Sequence, residues 1–147
     1  MGKQKYFLIL FSLICATAVC AGESDSFPNL NITVTGFESD VGQLGINIFR
    51  NDDEMFAHPY RVSFVKIEKQ KAQLMINDLP FGEYALVAYH DRNSNEKLDH
   101  HWLGYPSEPI GYSSNFHFGL FSGMPTFKKL KFEYRQISQQ LNIHINQ

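Results

Sequence analysis

Apolar and polar residues alternate along four stretches of the chain, and this alternation predicts β-strands. The stretches are residues 30–35, 43–48, 129–134 and 141–146. In the first of them, Leu30, Ile32 and Val34 are separated by asparagine and threonine. Successive side chains of a strand point to opposite faces, so each strand is expected to bury one face and leave the other in water.

Three further segments are predicted to be strands, although their alternation is less regular. Residues 60–69 alternate up to Phe64 and Val65, where the slip indicates a β-bulge, and residues 72–78 form the next strand. Residues 84–89 are apolar on both faces and therefore predict a central strand. Turn-forming residues separate the segments, and no helical period of helix length follows the N-terminal region. The pattern predicts an all-β fold, an antiparallel β-sandwich of about seven strands.

The N-terminal segment has the layout of a secretory signal peptide. Lys3 and Lys5 precede a mostly apolar stretch of about 14 residues, shorter than the roughly 20 that span a bilayer, and small residues follow. Cleavage after Cys20 and cleavage after Ala21 both fit the small-residue positions. The mature protein is therefore expected in the periplasm or outside the cell, with no transmembrane anchor after cleavage.

Cleavage changes both the charge and the cysteine content. The chain has a net charge of −2, and loss of Lys3 and Lys5 leaves about −4. An acidic surface does not suit nucleic-acid binding, because phosphates are neutralised by lysine and arginine. Both cysteines lie before residue 21, so no disulfide and no cysteine ligand is expected in the mature chain. The predicted organisation is a signal peptide (1–21), a flexible leader (22–29) and a single β-sandwich domain (30–146).

A long connection between strands, residues 91–126, is the expected location of function. It spans about 36 residues, whereas ordinary loops have about 4–6, and long ordered loops are frequently functional. Its aromatic content argues against disorder and predicts an ordered loop region at one end of the sandwich. The aromatic residues are Trp102, Tyr105, Tyr112, Phe116, Phe118 and Phe121.

The start of this connection has the spacing of a calcium loop. Its candidate ligands are the side chains of Asp91, Asn93, Asn95 and Asp99 and the carbonyl oxygen of Lys97. Calcium binds six to eight oxygens from such groups, and oxygens at every second residue of a tight loop can point to one centre. Glu96 replaces the usual turn glycine, and no glutamate stands at the twelfth position. Two interpretations stay open: a weak Ca²⁺ site, or an Asx-rich turn whose side chains bind their own backbone.

Other side chains of the connection are candidates for binding an unknown small molecule, a glycan or an envelope protein. They are His90, Trp102, Tyr105, Tyr112 and Asn115. The aromatic residues could form a platform for a ligand, or they could cap the end of the core, and we expect the second. His100 and His101 are adjacent and would point to opposite faces of a strand, which makes a poor zinc chelate. Ser113 and Ser114 do not stand in the complete Gly-x-Ser-x-Gly motif of a nucleophile elbow.

A block of residues from Asp78 to Asn115 carries a family resemblance. It consists of Asp78-Leu-Pro-Phe-Gly-Glu-Tyr-Ala-Leu-Val-Ala-Tyr-His-Asp91, Asn93, Asn95, Lys97-Leu-Asp99, Leu103-Gly104, Pro106, Glu108, Gly111-Tyr-Ser113 and Asn115, with Gly123-Met-Pro-Thr-Phe127 further on. It resembles the DUF2141 family of exported bacterial proteins of unknown function, whose pattern has glycines near Ser94 and Glu96. The turn before residue 84 also resembles prealbumin-like sandwich modules. The resemblance implies export and a prealbumin- or immunoglobulin-like sandwich, and it implies no activity.

The favoured function is a non-catalytic binding or envelope-associated module, with a loop that Ca²⁺ could order. The alternative is a structural protein that assembles through a sheet edge, and a hydrolase-type enzyme is a distant third. A polar-lined cavity beside residues 90–118 would favour binding, and a bare apolar strand edge would favour assembly.

Overall fold

The computed structural model describes residues 28–119 and 122–146, so the predicted signal peptide and most of the leader lie outside the described residues. Within these ranges the chain forms eight strands, one short helix and a 3-10 turn. They are β1 (Asn29–Thr35), β2 (Gln43–Phe49), β3 (Arg61–Lys66), β4 (Lys71–Ile76), β5 (Gly82–Asp91), β6 (Ile110–Tyr112), the 3-10 turn (Ser113–Asn115), α1 (Phe127–Leu130), β7 (Phe132–Tyr134) and β8 (Ser138–His144). None of the helical segments in the described part of the chain is long and apolar enough to cross a membrane.

The strands form two sheets, which confirms the prediction of an all-β sandwich. The three-stranded sheet has the order β4-β1-β8, and the five-stranded sheet has the order β3-β2-β5-β6, with β7 also paired to β5. The β1–β8 pair is parallel, with Ile32 opposite Leu141, and is the exception to the expected antiparallel pairing. Alternation determines which residues face the core but not the direction of the neighbouring strand, so the sequence pattern could not reveal this pair.

The main core lies between the two sheets. The alternating apolar residues of β1 and β2 are at most 1% exposed and pack there, as the pattern predicts. Removing this apolar surface from water supplies the main stabilising free energy of a sandwich. These residues are Leu30, Ile32, Val34, Leu44, Ile46 and Ile48.

A second apolar cluster covers the opposite face of the five-stranded sheet, at its central strand β5. Leu86 and Ala88 of β5 face the main core, whereas Ala85 and Val87 face this second cluster. Residues of the long connection and of α1 complete the cluster, among them Tyr112 and Leu130. Both faces of β5 are therefore buried, which agrees with its uninterrupted apolar sequence.

Residues 127–134 differ from the predicted strand. A helical turn occupies Phe127–Leu130, and only Phe132–Tyr134 pair with β5. Leu130 is fully buried in the second cluster, and its carbonyl oxygen accepts hydrogen bonds from the hydroxyl groups of Ser113 and Ser114. These tertiary contacts stabilise the turn, and local alternation does not reveal them.

The bulge expected in the third strand is also absent from the structure. β3 pairs with β2 in one continuous register through Phe64 and Val65. The alternation slips because both faces of β3 are partly covered: Val65 packs against the main core, while Phe64 lies opposite Gly45 on the other face.

Candidate functional site

Asp91, the first residue of the candidate calcium loop, ends β5 with a fully buried side chain. Its Oδ1 accepts a hydrogen bond from the backbone N–H of Asn95 at 3.1 Å, and its Oδ2 accepts one from that of Glu96 at 2.9 Å. Gln43 Nε2 of the neighbouring strand donates a third bond to Oδ2 at 2.8 Å. Both carboxylate oxygens therefore hold the backbone of the loop and join it to β2.

The remaining side chains of the loop bind one another and the loop backbone. The Oδ1 of Asn93 accepts from the N–H of Asn95 at 3.1 Å, and the Oδ1 of Asn95 accepts from the N–H of Lys97 at 2.9 Å. The amide groups of Asn93 and Asn95 both donate to the carboxylate of Asp99. This is the arrangement of the Asx-rich turn. Calcium binding stays a prediction, and a cation would have to replace several of these hydrogen bonds.

Two residues of the loop have left-handed backbone conformations. Ser94 has φ of 56° and Glu96 has φ of 63°, a region that residues other than glycine seldom adopt. The resemblance described above implies glycines near these two positions. The loop therefore keeps the fold that glycine favours, and the hydrogen bonds of Asp91 offset the conformational cost.

Glu108 binds both ends of the loop that follows β5. No sequence pattern predicted a residue in this role. The side chain of Glu108 is 8% exposed, and its two oxygens accept the backbone N–H groups of Arg92 at 3.0 Å and Asp99 at 3.1 Å. Burial raises the pKa of Glu108, the charges of Asp91 and Asp99 raise it further, and the two backbone hydrogen bonds oppose the shift.

His90 lies within the core rather than on a ligand-accessible surface. Its side chain is fully buried, its Nε2 is 2.7 Å from the carbonyl oxygen of Val41, and its ring meets the ring of Phe37 edge-on at 5.3 Å. Among the described residues, its Nδ1 has no hydrogen-bond partner. An external ligand does not reach this side chain in this structure.

The aromatic residues of the connection divide into buried and exposed groups. Tyr112 is 6% exposed and packs in the second cluster, where its ring contacts that of Phe116 at 5.4 Å. Tyr105 is 51% exposed and Trp102 is 90% exposed. The expectation that these residues cap the core is therefore wrong for Trp102, because local composition does not show which residues of a loop reach the protein surface.

We define the aromatic groove as the depression lined by Phe56, Tyr105, Tyr112 and Phe118. Its narrower part has a volume of about 170 Å³ and also contacts His100 and Met124. Tyr105 and Phe118 form its rim, with ring centroids 6.1 Å apart. Phe56 comes from the β2–β3 connection, where no sequence pattern marked it as a site residue. Burial raises the pKa of Tyr112 to about 12, so its phenol stays protonated at neutral pH.

A second depression shares Tyr105, Tyr112 and Phe118 with the first, and we count it as the wider part of the groove. It has a volume of about 490 Å³ and adds Glu108, His117 and Asn146 to the lining. Asn115, a predicted ligand-binding residue, does not line either part, but its carbonyl oxygen accepts a hydrogen bond from Nδ1 of His117 at 2.8 Å. Of the predicted ligand-binding residues, Tyr105 and Tyr112 therefore meet in the groove, whereas His90, Trp102 and Asn115 do not line it.

The serines considered as nucleophiles have structural partners. Ser113 is 1% exposed, and its hydroxyl oxygen accepts the N–H of Leu86 at 2.9 Å while the group also lies against the carbonyl of Leu130. Ser114 donates to the carbonyl of Lys131 at 2.7 Å. Within residues 28–119 and 122–146, no three histidine, cysteine or acidic side chains converge in a way that could hold a metal ion.

Comparison with known proteins assigns the chain to a family. No curated protein and no solved structure matches it. One family model matches residues 32–142, from β1 to β8, and so covers both sheets, the loop that begins at Asp91 and most of the groove. The chain therefore belongs to the DUF2141 family, whose description is "Uncharacterized protein conserved in bacteria".

Proposed function

We propose that this protein is an exported, non-catalytic binding module whose aromatic groove holds one ring of a small molecule or glycan. The observation that carries the proposal is the convergence of Phe56, Tyr105, Tyr112 and Phe118 on one depression. These residues come from four separate parts of the chain: the β2–β3 connection, the segment before β6, β6 itself and the segment after it. Concave sites with aromatic walls and few polar groups are the usual form of small-molecule sites.

The size and lining of the groove support a ligand with one ring in its narrow part. A volume of about 170 Å³ is below the roughly 300–1,000 Å³ of drug-sized sites. The half-exposed rings of Tyr105 and Phe118 can pack against the flat face of a sugar or an aromatic ring. His117 and Asn146 offer hydrogen-bond partners on the wide side, where hydroxyl or amide groups of the ligand would lie.

The backbone of Phe56 gives further support. Its φ is 69°, a left-handed conformation that is unusual for a bulky residue. Strain of this kind costs of order 1–3 kcal/mol and clusters at ligand-binding and active sites. Here it places the ring against Phe49, with centroids 6.2 Å apart, and in the wall of the groove.

The test is a binding titration followed by protein NMR, with a panel of neutral mono- and disaccharides and small phenols. We expect shifts of the groove residues with at least one of these probes, and about a tenfold loss of affinity in Phe118→Ala, as for losing one aromatic contact. Phe81→Ala is the matched control, because Phe81 is 51% exposed and lies outside the groove. Equal losses in both variants, or shifts confined to other surfaces, would contradict the proposal.

Export is the second part of the proposal, and it rests on the charged, apolar and small-residue order of residues 3–22. The mass of the protein purified from its native host should correspond to a chain that begins at Ala21 or Gly22. A mature protein that still begins at Met1 would disprove export. Assembly through a sheet edge and hydrolase-type catalysis stay predictions without a supporting observation in the described residues.

A further inference from the structure

Trp102 and Leu103 form an exposed apolar tip that the groove does not use. They are 90% and 61% exposed, and Trp102 is the one tryptophan of the chain. Soluble proteins seldom leave large apolar side chains side by side in water, and such features indicate an interaction site. Neither residue lines the aromatic groove.

The tip is the turn of a short hairpin that its own backbone hydrogen bonds close. His101 donates its N–H to the carbonyl of Tyr105, and Gly104 donates to the carbonyl of His101, each at 2.8 Å. His100 and Pro106 pair as an isolated bridge below the turn. Gly104 has φ of 83°, and a Cβ added there would meet no atom within 4 Å. Two backbone N–H groups of the hairpin thus bond within it, which lowers the cost of taking those groups out of water.

We propose that the Trp102–Leu103 tip inserts into the interfacial layer of a lipid bilayer. Tryptophan is enriched at membrane–water interfaces, where its ring is apolar and its N–H can still bond to water or headgroups. Leu103, beside it, reaches the boundary between the headgroups and the acyl chains. The half-exposed Tyr105 lies in the same hairpin and extends the apolar surface to Phe118.

The area of the tip favours a lipid surface over a protein partner. Two projecting side chains offer a few hundred Å², whereas stable protein interfaces bury about 1,200–2,000 Å² in total. A convex tip of this kind needs a matching cavity on a protein, but a bilayer accepts it without shape complementarity. Attachment by one tip is weak and reversible, as for a single inserted anchor.

The charges near the tip do not favour one type of lipid headgroup. Glu96 and Asp99 precede it together with Lys97, so acidic and basic groups are mixed. Attraction to anionic lipid is therefore small, and insertion depends on apolar transfer. Binding should persist at high salt, unlike the binding of a basic surface patch.

The fluorescence of Trp102 tests the proposal directly. The protein is titrated with phosphatidylcholine vesicles, with and without phosphatidylglycerol, at low and high salt. We expect the emission to shift to shorter wavelength with both lipids at both salt concentrations, because the indole leaves water. Co-sedimentation with the same vesicles should fall about tenfold or more in Trp102→Ala, because the indole supplies most of the apolar surface that leaves water.

A second substitution and a folding measurement separate lipid insertion by the tip from non-specific effects. Met75→Ala removes a 59% exposed side chain from the three-stranded sheet and should leave co-sedimentation unchanged. Trp102→Ala should melt like the wild type, so that loss of lipid binding is not loss of folding. An emission spectrum that vesicles do not change, or equal co-sedimentation of wild type and Trp102→Ala, would overturn the proposal. A dimer in lipid-free solution that Trp102→Ala dissociates would assign the tip to a protein interface and overturn it too.

Discussion

At the residue scale, the space next to the backbone restricts which residue type some positions can hold, and it does so more strongly than polarity. Gly45 lies in β2, opposite Tyr89 of β5. A Cβ at this glycine would approach the tyrosine ring to 2.2 Å, a distance that real structures do not contain. Tyr89 is 1% exposed and cannot swing away into water. The glycine is therefore required by the ring that lies over it, although glycine weakens a strand.

The first prediction follows from this contact. Gly45→Ala should lower the free energy of unfolding by about 1–3 kcal/mol, because an overpacked site forces off-rotamer side chains and backbone shifts. Gly82→Ala is the control in another strand, where the nearest contact of an added Cβ is an ordinary 3.6 Å. Urea unfolding of both variants gives the comparison. Equal destabilisation of the two would show that loss of glycine, and not the tyrosine ring, is responsible.

Exposure of single residues was the least predictable property. Trp102 was expected to cap the end of the core, yet it lies at a turn and is exposed to water. Phe56 contributes to the groove through a connection that has no strand or helix pattern. Both positions depend on how connections fold over the sheet, and the composition of a connection carries little information about that.

At the element scale, strands with one buried face were predictable from the sequence and very short ones were not. β1, β2 and β8 follow their alternation, because a slip of one residue would turn the apolar set to water. β6 has three residues, too few for a period to appear, and β7 is only the C-terminal half of the strand that alternation predicted over residues 129–134. For the loop after β5, spacing alone allowed either a cation site or an Asx turn, since both use the same oxygens.

The second prediction concerns this loop. Asp91→Asn should lower the free energy of unfolding by about 1.5–3 kcal/mol. One carboxylate oxygen is replaced by an NH₂ group, which cannot accept the backbone N–H that the oxygen accepted. Asp99→Asn should cost less, because the carboxylate of Asp99 receives most of its bonds from side-chain amides that can reorient. Thermal unfolding of the two variants and the wild type shows which substitution is the more destabilising.

The same melting curves, recorded with EDTA, with millimolar Mg²⁺ and with millimolar Ca²⁺, test the calcium interpretation. We expect equal midpoints in all three, because the loop oxygens already accept hydrogen bonds. A rise with Ca²⁺ alone that disappears in the double variant Asp91→Asn/Asp99→Asn would establish the cation site and contradict this expectation.

At the scale of the whole molecule, carboxylates hold one end of the sandwich together. The connections β1–β2, β3–β4 and β5–β6 meet there. Asp40 accepts the backbone N–H groups of Lys69 and Gln70, which join the first two connections. Arg92 pairs with Glu38 at 3.0 Å, which joins the first to the third. The pKa of Asp40 is lowered and that of Glu108 is raised, so these two carboxyl groups contribute to the pH dependence of stability with opposite signs.

The third prediction is the pH dependence of this end. The backbone hydrogen bonds from Gln70 and Lys69 lower the pKa of Asp40 below 3.8, so its contribution is present above that value and is lost in stronger acid. Burial raises the pKa of Glu108 above the ordinary glutamate value of 4.5. In the window between 4.5 and that higher pKa the folded state binds more protons than the unfolded state, so the free energy of unfolding falls as pH rises through it. Glu108→Gln removes this titration.

The variant need not match the wild type in absolute stability, because glutamine keeps one acceptor oxygen for the N–H groups of Arg92 and Asp99 and presents an amide to the other. The diagnostic quantity is the difference in unfolding free energy between Glu108→Gln and the wild type, measured by urea unfolding from pH 4 to pH 8. We expect that difference to move in favour of the variant as pH rises and to become constant once the wild-type carboxyl is ionised. A difference that is constant over the whole range would mean that hydrogen bonding balances burial at this carboxyl, which contradicts the prediction. A difference that moves in favour of the wild type would mean that hydrogen bonding outweighs burial. In that case Glu108 would instead stabilise the loop most strongly in its ionised form.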